Sequence, residues 1–288
     1  MRLNSLFNHP LTGLKIWSGK MKTEIFNTTY MGYSHKKSGG RCQDFSSSYK
    51  DPDKIVVTAC DGHGGKLYVR SHLGSRFASL ALNKVLLSVA PREVAGFSHE
   101  DLCNRLRLAV LCEWNSLVEK DLKKRRIRPH ETKKLSEAEI EALRENPQKA
   151  YGTTLSGAAV IGNKLVCVSI GDGGAFLLRK GEAEPLFDDS DEPVANVTHS
   201  LCSEDAFEHI RVTVREWNAS DSVLLCTDGL LAPYQSLANF KLSFVAPTVA
   251  LLKNGETDKI DTFIKELAEE KGNGDDVSLA MIFKKRSR

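Results

Sequence analysis

The chain has 288 residues, of which 41% are hydrophobic and 27% charged, and its formal net charge at pH 7 is +3. This is the composition of an ordinary globular protein with enough apolar residues for a sizeable core. The small net charge argues against nucleic-acid binding, and no apolar run is long enough to span a bilayer. Residues 1–22 lack the apolar segment of a signal peptide, and we expect them to form a loose N-terminal arm.

The number and spacing of the seven cysteines indicate whether the protein works in a reducing or an oxidising compartment. Their number is odd and no pair has C-x-x-C spacing. Cys60, Cys167 and Cys226 lie inside apolar runs, where cysteine behaves as a small hydrophobe. We therefore predict neither a disulfide framework nor a zinc site, and we expect a cytoplasmic protein, because thiols stay reduced there.

The first predicted elements are strands that lead into polar turns. Residues 24–33 predict a strand, which is followed by a basic, glycine-containing loop over residues 34–41. Cys42-Gln43-Asp44 then leads into a second strand. The β-branched run 55–60 predicts a buried third strand, and it ends abruptly in Asp61-Gly62-His63-Gly64-Gly65. The glycines let the backbone turn sharply beside this acid and imidazole.

The pattern then changes to that of helices. Apolar residues over 67–89 predict a long helix that stops at Pro91, and Ser98 with Asp101 resembles a capping box that begins another helix. Residues 120–150 are charged and contain a predicted short helix. We interpret this segment as a solvated helical insertion, and a docking surface for a partner is the alternative.

The second half returns mainly to strands. Two β-like runs separated by Gly162-Asn163 predict a hairpin, and the polar residues 186–210 predict a flap-like loop. The remaining predicted elements are strands over 210–217, 223–227 and 277–283 and an amphipathic helix over 258–271. Short hairpins imply antiparallel sheets, so we predict an α+β fold rather than a doubly wound parallel one. One domain is expected over 23–284, followed by a basic tail over 285–288.

Aspartates recur at the ends of the apolar runs. Asp61, Asp172 and Asp228 each follow such a run, and Asp275 precedes the last one. Carboxylates without His or Cys partners select hard cations such as Mg²⁺ and Mn²⁺, a pair of which would activate a water for attack on a phosphate. His63 lies where it could give a proton to the departing alkoxide. Any single Asp-Gly pair is more often only a turn, so the joint occurrence is what indicates a hydrolytic metal site.

Six short stretches resemble the PPM family, the metal-dependent type 2C serine/threonine protein phosphatases, in its bacterial form. They are Cys42-Gln43-Asp44, Asp61-Gly62-His63-Gly64-Gly65, Gly152-Thr153-Thr154-Leu155, Gly171-Asp172-Gly173, Thr227-Asp228-Gly229 and Gly274-Asp275-Asp276-Val277-Ser278. The resemblance implies a four-layer α-β-β-α sandwich of two antiparallel sheets flanked by helices. It also implies hydrolysis of phosphoserine and phosphothreonine in proteins by a water that two Mn²⁺ or Mg²⁺ ions activate, with a weaker third ion in some members.

The resemblance also implies roles for individual residues. Asp61 would bridge the two metals, and His63 would be the general acid. The other implied metal-site groups are Asp44, the Gly62 carbonyl, Asp172, Asp228 and Asp275, with Asp276 as the rival of Asp275.

The phosphate-binding residue stays open, because Gly39 occupies the position of the arginine that is usual in the family. We favour Arg41, since a guanidinium grips phosphate with two hydrogen bonds. Lys37, Lys36 and His35 are the alternatives, and for these three a merely solvated loop is an equally open interpretation. Gln43 also replaces a usual glutamate.

These departures motivate a second hypothesis, a catalytically silent module that binds phosphoproteins and regulates them. A metal nuclease needs a basic groove, and the near-neutral charge balance and the lack of interleaved aromatic and basic residues argue against one. For the phosphatase we expect a phosphorylated protein substrate, an opposing Ser/Thr kinase, a monomeric state, and no nucleic-acid or membrane partner.

Overall fold

The computed structural model describes residues 21–187 and 198–286. Most of the predicted arm, the centre of the predicted flap and the last two residues of the basic tail lie outside the described residues. The strands are β1 (Met21–Tyr30), β2 (Phe45–Lys50), β3 (Lys54–Cys60), β4 (Leu155–Ile161), β5 (Lys164–Ile170), β6 (Gly174–Arg179), β7 (Glu182–Pro185), β8 (Arg211–Glu216), β9 (Ser222–Cys226) and β10 (Val277–Arg286).

The helices are α1 (Tyr33–Ser38), α2 (Ser71–Ser88), α3 (Pro91–Gly96), α4 (His99–Lys124), α5 (Glu137–Glu145), α6 (Ala206–His209), α7 (Asp228–Leu231), α8 (Leu237–Phe240), α9 (Ala246–Asn254) and α10 (Thr257–Glu266). A 3₁₀ turn follows α5, and π-helical turns follow α8 and α10. As the sequence predicts, α4 begins at a capping residue, because Ser98 Oγ accepts a hydrogen bond from Asp101 N at 3.1 Å.

The strands form two antiparallel sheets. Within the described residues, one has five strands in the order β1-β10-β9-β6-β7, and the other has five in the order β2-β3-β4-β5-β8. The hairpin predicted at Gly162-Asn163 joins β4 to β5. The predicted α+β class with two antiparallel sheets is therefore confirmed.

Alternate side chains of each buried strand enter different apolar layers. Val57 of β3 belongs to the layer between the sheets, together with Leu225 and Ile282 of the opposite sheet. Val56 and Cys60 of the same strand belong instead to the layer beneath α2 and α4. This alternation explains why β3 reads as a continuous apolar run, because a strand buried on both faces has no polar side.

Helices cover the outer face of each sheet. Trp114 of α4 is fully buried against α2, and its Nε1 donates to the Gly74 carbonyl at 3.2 Å. On the other side, Leu252 of α9 and Ile264 of α10 are fully buried in the layer that covers β10. Burying a side chain of this size stabilises a fold by about 1.5–3 kcal/mol. The order helix, sheet, sheet, helix is the predicted four-layer sandwich.

The strand register brings several turns to one end of the sandwich. Phe45 pairs with Cys60, so the start of β2 lies beside the end of β3. Cys226 at the end of β9 pairs with Leu279 near the start of β10 and with Gly174 at the start of β6. The turns that carry the predicted aspartates are therefore neighbours in space although they are far apart in sequence.

The prediction of a loop over residues 34–41 is wrong in part, because α1 occupies most of it. Its first turn is anchored by contacts that the local sequence does not reveal: Ser34 N donates to the Gly274 carbonyl at 3.1 Å. Gly39 ends the helix with a left-handed φ of 68°, a conformation that glycine adopts without steric cost.

The charged segment over 120–150 is attached to the rest of the domain through a buried arginine at the start of α2. Arg70 is only 5% exposed, and Glu131 accepts from its Nε at 2.7 Å and from its Nη2 at 2.9 Å. Asp121 and the Tyr151 hydroxyl complete what we call the Arg70 cluster, with Arg70 Nη1 3.3 Å from Asp121 Oδ2 and 2.7 Å from Tyr151 Oη. The segment is therefore docked as well as solvated.

All seven cysteines lie in the described ranges and are free thiols. None of the helices within residues 21–187 and 198–286 is both long and apolar enough to cross a membrane.

Candidate active site

A polar cleft of about 420 Å³ opens at the end of the sandwich where the aspartate turns meet. We call it the acidic cleft. Among the residues that the structure describes, no lysine or arginine lines it. The lining residues are Ser34, His35, Gln43, Asp61, Gly62, His63, Gly64, Asp172, Thr198, Asp228, Asn273, Gly274 and Asp275.

Asp61 is held at the end of β3 by the neighbouring threonines. Thr154 Oγ1 accepts from Asp61 N at 3.1 Å. The Asp61 carbonyl in turn accepts from Thr153 Oγ1 at 2.7 Å and from Thr154 N at 2.8 Å. The backbone of Asp61 is therefore fixed on both sides, which positions its carboxyl in the cleft.

Gly62 is required by close backbone contacts. A Cβ at this position would lie 2.7 Å from both the Gln43 and the Ser71 carbonyl oxygens, well inside van der Waals contact. The Gly62 N–H donates to the Gln43 carbonyl at 3.1 Å. A side chain at this position would therefore clash with these carbonyls and displace the Asp61 turn, which lines the cleft.

Asp44 lies behind the cleft and is 5% exposed. Thr227 Oγ1 donates to its Oδ2 at 2.7 Å and accepts from Ser278 N at 2.9 Å, which links the two sheets. Burial, reinforced by the charge of Asp276 and opposed by the hydrogen bond from Thr227, raises the pKa of Asp44 well above its usual range.

The carboxyls of Asp61 and Asp228 both line the cleft and lie in direct contact with each other. Burial first, and then the charges of Asp44, Asp228 and Asp275, raise the pKa of Asp61 well above its usual range. Burial and the charges of Asp172 and Asp275 likewise raise the pKa of Asp228. Both directions show that the site repels a further negative charge and would be stabilised by a cation.

The structure separates the two adjacent aspartates before β10. Asp275 is half-buried and lines the cleft. Asp276 is 2% exposed and accepts from Gly32 N at 2.7 Å and from Gln43 N at 2.5 Å. Asp276 therefore anchors the two ends of the segment that contains α1, which leaves Asp275 as the carboxylate that faces the cleft.

Asp172 is exposed at the rim of the cleft, where its Oδ2 accepts from Thr198 Oγ1 at 2.8 Å. Thr198 belongs to the predicted flap and is the first residue of the second described range. Asp172 is therefore the lining carboxylate that solvent reaches most easily.

His63 is half-buried on the cleft wall. Its backbone N–H donates to the Gly152 carbonyl at 3.1 Å, and its ring centroid lies 4.9 Å from that of Tyr68. Burial lowers the pKa of His63, and the charge of Asp172 opposes this shift.

The residues predicted to bind phosphate are not all brought to the cleft. His35 lines it, with Nδ1 3.0 Å from Asp276 Oδ1, a distance of ionic contact without the alignment of a hydrogen bond. Lys37 is exposed on α1 and does not line the cleft. Arg41 is also exposed outside it, and its Nη1 donates to His72 Nε2 at 2.7 Å.

Gln43 lines the cleft, but its side-chain amide is already engaged by the protein. Its Nε2 donates to Ser71 Oγ at 2.6 Å and to the His63 carbonyl at 3.1 Å.

The donor set fits a divalent cation that prefers oxygen. Carboxyls of Asp61, Asp228 and Asp275 share one cleft with the Gly62 backbone, and burial with mutual repulsion raises the pKa of Asp61 and of Asp228. Such a set suits Mg²⁺ or Mn²⁺ better than zinc, which favours His and Cys. The individual ligand roles stay predictions.

Sequence reasoning did not identify the residues that support the acids. Thr227, Thr153 and Thr154 hold Asp44 and Asp61 in place, and Asp276 orders the α1 segment. The threonines stand inside the recognised stretches, so their position beside the acids was the available signal. Nothing in the local sequence distinguishes buried Asp276 from Asp275.

A comparison with known protein families agrees with the resemblance noted in the sequence. The profile of the protein phosphatase 2C family matches residues 31–267, which is most of the chain. The chain therefore belongs to the protein phosphatase 2C family. No curated protein sequence matches it.

Solved structures share the fold at low sequence identity. A serine/threonine phosphatase of S. agalactiae has a TM-score of 0.57 and 19% identity, over 91% of this chain and 99% of that one. The catalytic domain of the phosphatase PstP, in complex with two manganese ions, has a TM-score of 0.53 and 20% identity, over 92% and 99%. PppA of Pseudomonas aeruginosa has a TM-score of 0.57 and 18% identity, over 91% and 97%.

Proposed function

We propose that the chain is an active Mn²⁺- or Mg²⁺-dependent phosphatase of phosphoserine and phosphothreonine in proteins. The observation that carries this proposal is the acidic cleft, where carboxyls from four distant turns meet without a lysine or arginine among the described lining residues. A fold gains no stability from buried carboxyls that repel one another, so their arrangement is best explained by a cation that binds between them.

Asp61, Asp228, Asp275 and the Gly62 carbonyl are the groups that would hold the ions. When bound, a pair of divalent ions supplies an activated water and neutralises charge on the phosphoryl oxygens. Asp44, behind the cleft, would hold a water molecule that is bound to an ion. Exposed Asp172 would hold a third ion more weakly. Support comes from the PstP structure, which contains two manganese ions in the same fold.

His63 would deliver the proton that the departing serine or threonine oxygen requires. It lines the cleft two residues from Asp61, and the Gly152 carbonyl holds its backbone in place. His35 is the phosphate-binding candidate that the geometry favours, because it is the member of the predicted set that lines the cleft.

The test is release of phosphate from a phosphothreonine peptide by the purified protein with Mn²⁺, with Mg²⁺ and with EDTA. We expect turnover with either ion and none with EDTA, and slower turnover of the matched phosphotyrosine peptide. A folded protein without turnover in either ion would refute the proposal. An opposing Ser/Thr kinase and a reducing cytoplasmic location, consistent with the free cysteines, belong to the same proposal.

The second candidate is a silent module that binds phosphoproteins. The observation in its favour is that neither Arg41 nor Lys37 lines the cleft and that Gln43 replaces a carboxylate there. Calorimetric titration with Mn²⁺ discriminates the two candidates. Tight phosphopeptide binding without Mn²⁺ binding would favour the silent module, whereas Mn²⁺ binding together with turnover would exclude it.

A further inference from the structure

A second concave site lies beside the acidic cleft and has the opposite charge. It encloses about 230 Å³ and is lined by one apolar and one acidic side chain, Leu73 and Glu131, and by six basic or imidazole side chains. The six are Arg41, Arg70, His72, Arg125, Arg128 and His130. We call it the basic pocket. The chain segment that forms one wall is strongly basic, since residues 120–134 contain eight Lys or Arg and two acids.

The positive charges of the basic pocket are only partly neutralised. Arg70 is fully engaged with Glu131, Asp121 and backbone carbonyls, and Arg125 pairs with Asp121. The ion pairs within residues 21–187 and 198–286 include none from the side chain of Arg41 or of Arg128. The carboxylate of the pocket, Glu131, is paired with Arg70, so the guanidinium groups of Arg41 and Arg128 leave a site that a further anion would complete.

His72 fixes the position of one of these two arginines. Burial first, and then the charges of Arg41 and Arg70, lower the pKa of His72 to about 4. Its ring is therefore neutral near pH 7, and its Nε2 accepts from Arg41 Nη1 at 2.7 Å. This contact holds the Arg41 guanidinium at the basic pocket rather than in the acidic cleft.

One thin wall separates the two sites. Gln43 lines the acidic cleft, and its Nε2 donates at 2.6 Å to Ser71, which lies between Arg70 and His72 of the basic pocket. Arg41 is two residues from Gln43, and two residues of chain span at most about 7 Å. In an extended peptide this is also about the distance from one side chain to the next on the same face.

We propose that the basic pocket binds a second anionic side chain, phosphate or carboxylate, two to four residues from the phosphoresidue that occupies the acidic cleft. This inference rests on the proposed phosphatase function and names its substrate class, an acidic or multiply phosphorylated segment of protein. Arg41 and Arg128 make the charge-assisted contacts to the second anion. The acidic cleft thus binds the phosphoresidue, and the basic pocket binds the second anionic side chain of the same extended substrate peptide.

The experiment uses three phosphothreonine peptides that differ at one position, two to four residues away, where they carry alanine, glutamate or phosphoserine. We expect kcat/KM to rise by about tenfold from alanine to phosphoserine through a lower KM, with glutamate between them. The glutamate and phosphoserine arms distinguish a carboxylate from a phosphate. The preference should weaken as salt is added, because both partners are partly exposed.

Arg128→Gln is the test variant, because Arg128 is exposed and its replacement leaves the core intact. The matched control is Arg126→Gln, an exposed arginine of the same segment that does not line the pocket. We expect Arg128→Gln to lose most of the preference for the second anion while Arg126→Gln keeps it. Equal losses in the two variants, or wild-type enzyme without a preference, would overturn the proposal.

A binding measurement separates this proposal from the proposed function. Fluorescence anisotropy of the labelled peptides in EDTA needs no turnover. Suppose that the Mn²⁺ and Mg²⁺ assays show no hydrolysis but that Arg128→Gln still weakens binding of the phosphoserine peptide about tenfold. The phosphatase proposal then fails and the proposed role of the basic pocket stands. If a single-stranded oligonucleotide competes with equal strength in an Arg128-dependent way, the site is a general polyanion site and the proposal is wrong.

Discussion

The acidic cleft and the Arg70 cluster both hold charged side chains away from water, but they balance those charges differently. In the cluster, Arg70 meets two carboxylates and a hydroxyl, and the hydrogen bond from Arg70 lowers the pKa of Glu131 to about 2. In the cleft, carboxyls meet other carboxyls, and burial raises the pKa of Asp61.

The difference separates charges that hold the fold from charges that are available for binding. The Arg70 cluster is complete within the protein and fastens the charged segment over 120–150 to the start of α2. Under the proposed function, the acidic cleft is complete only with a cation. Mutations in the two regions should therefore move different observables, stability in the first and activity in the second.

The largest expected effect on stability is that of Arg70→Met. It leaves Glu131 and buried Asp121 without their central cation, and breaking a buried ion pair in this way costs about 3–5 kcal/mol. Urea unfolding measures the loss, with Arg76→Met, an exposed arginine of α2, as the matched control. A cost below about 1 kcal/mol would show that the cluster does not fasten the segment.

The largest expected effect on activity is that of Asp61→Asn. Loss of the proposed bridging carboxylate should lower kcat by on the order of a thousandfold, equivalent to several kcal/mol of transition-state stabilisation. Its folded stability should not fall, because a repelling charge is removed. Asp53→Asn, at an exposed turn, is the control. An active Asp61→Asn enzyme would contradict the assignment.

His63→Asn should discriminate between leaving groups. For a phosphothreonine peptide, whose alkoxide needs a proton, we expect kcat to fall by about a hundredfold. For p-nitrophenyl phosphate, whose phenolate leaves without a proton, the loss should be below about tenfold. Steady-state rates on both substrates measure the ratio, and equal losses would assign His63 a positioning role instead.

A smaller effect is expected from Glu131→Gln, and it depends on pH. The folded-state pKa of Glu131 is about 2 against an ordinary value of 4.5, so its contribution to stability is present above about pH 4.5 and is lost as the pH falls towards 2. With allowance for its partial exposure, this contribution is about 2 kcal/mol. Unfolding curves of wild type and variant should therefore converge at low pH; a constant difference would contradict the assignment.

The sequence predicts the architecture well because β-branched runs and short turns act locally. The apolar run that becomes β3 and the turn at Gly162-Asn163 are examples. The placement of aspartates at strand ends also indicates where the cleft forms.

The remaining features depend on partners that are distant in sequence. Arg70 is bound by residues more than 50 positions away, and α1 is anchored by Asp276 across the whole domain. Arg41 is a further example. Its position in the sequence predicts a contact with the substrate phosphate, but a hydrogen bond to His72, 31 positions away, holds it at the basic pocket.

The most direct test of the central claim, that the acidic cleft is completed by divalent cations, is urea unfolding at increasing Mn²⁺. If the ions bind only the folded protein, the free energy of unfolding should rise by about 2.7 kcal/mol at a hundredfold excess over the dissociation constant. Asp61→Asn should lose most of this increase, and Asp53→Asn should keep it. Wild-type stability that does not change in millimolar Mn²⁺ would contradict the account.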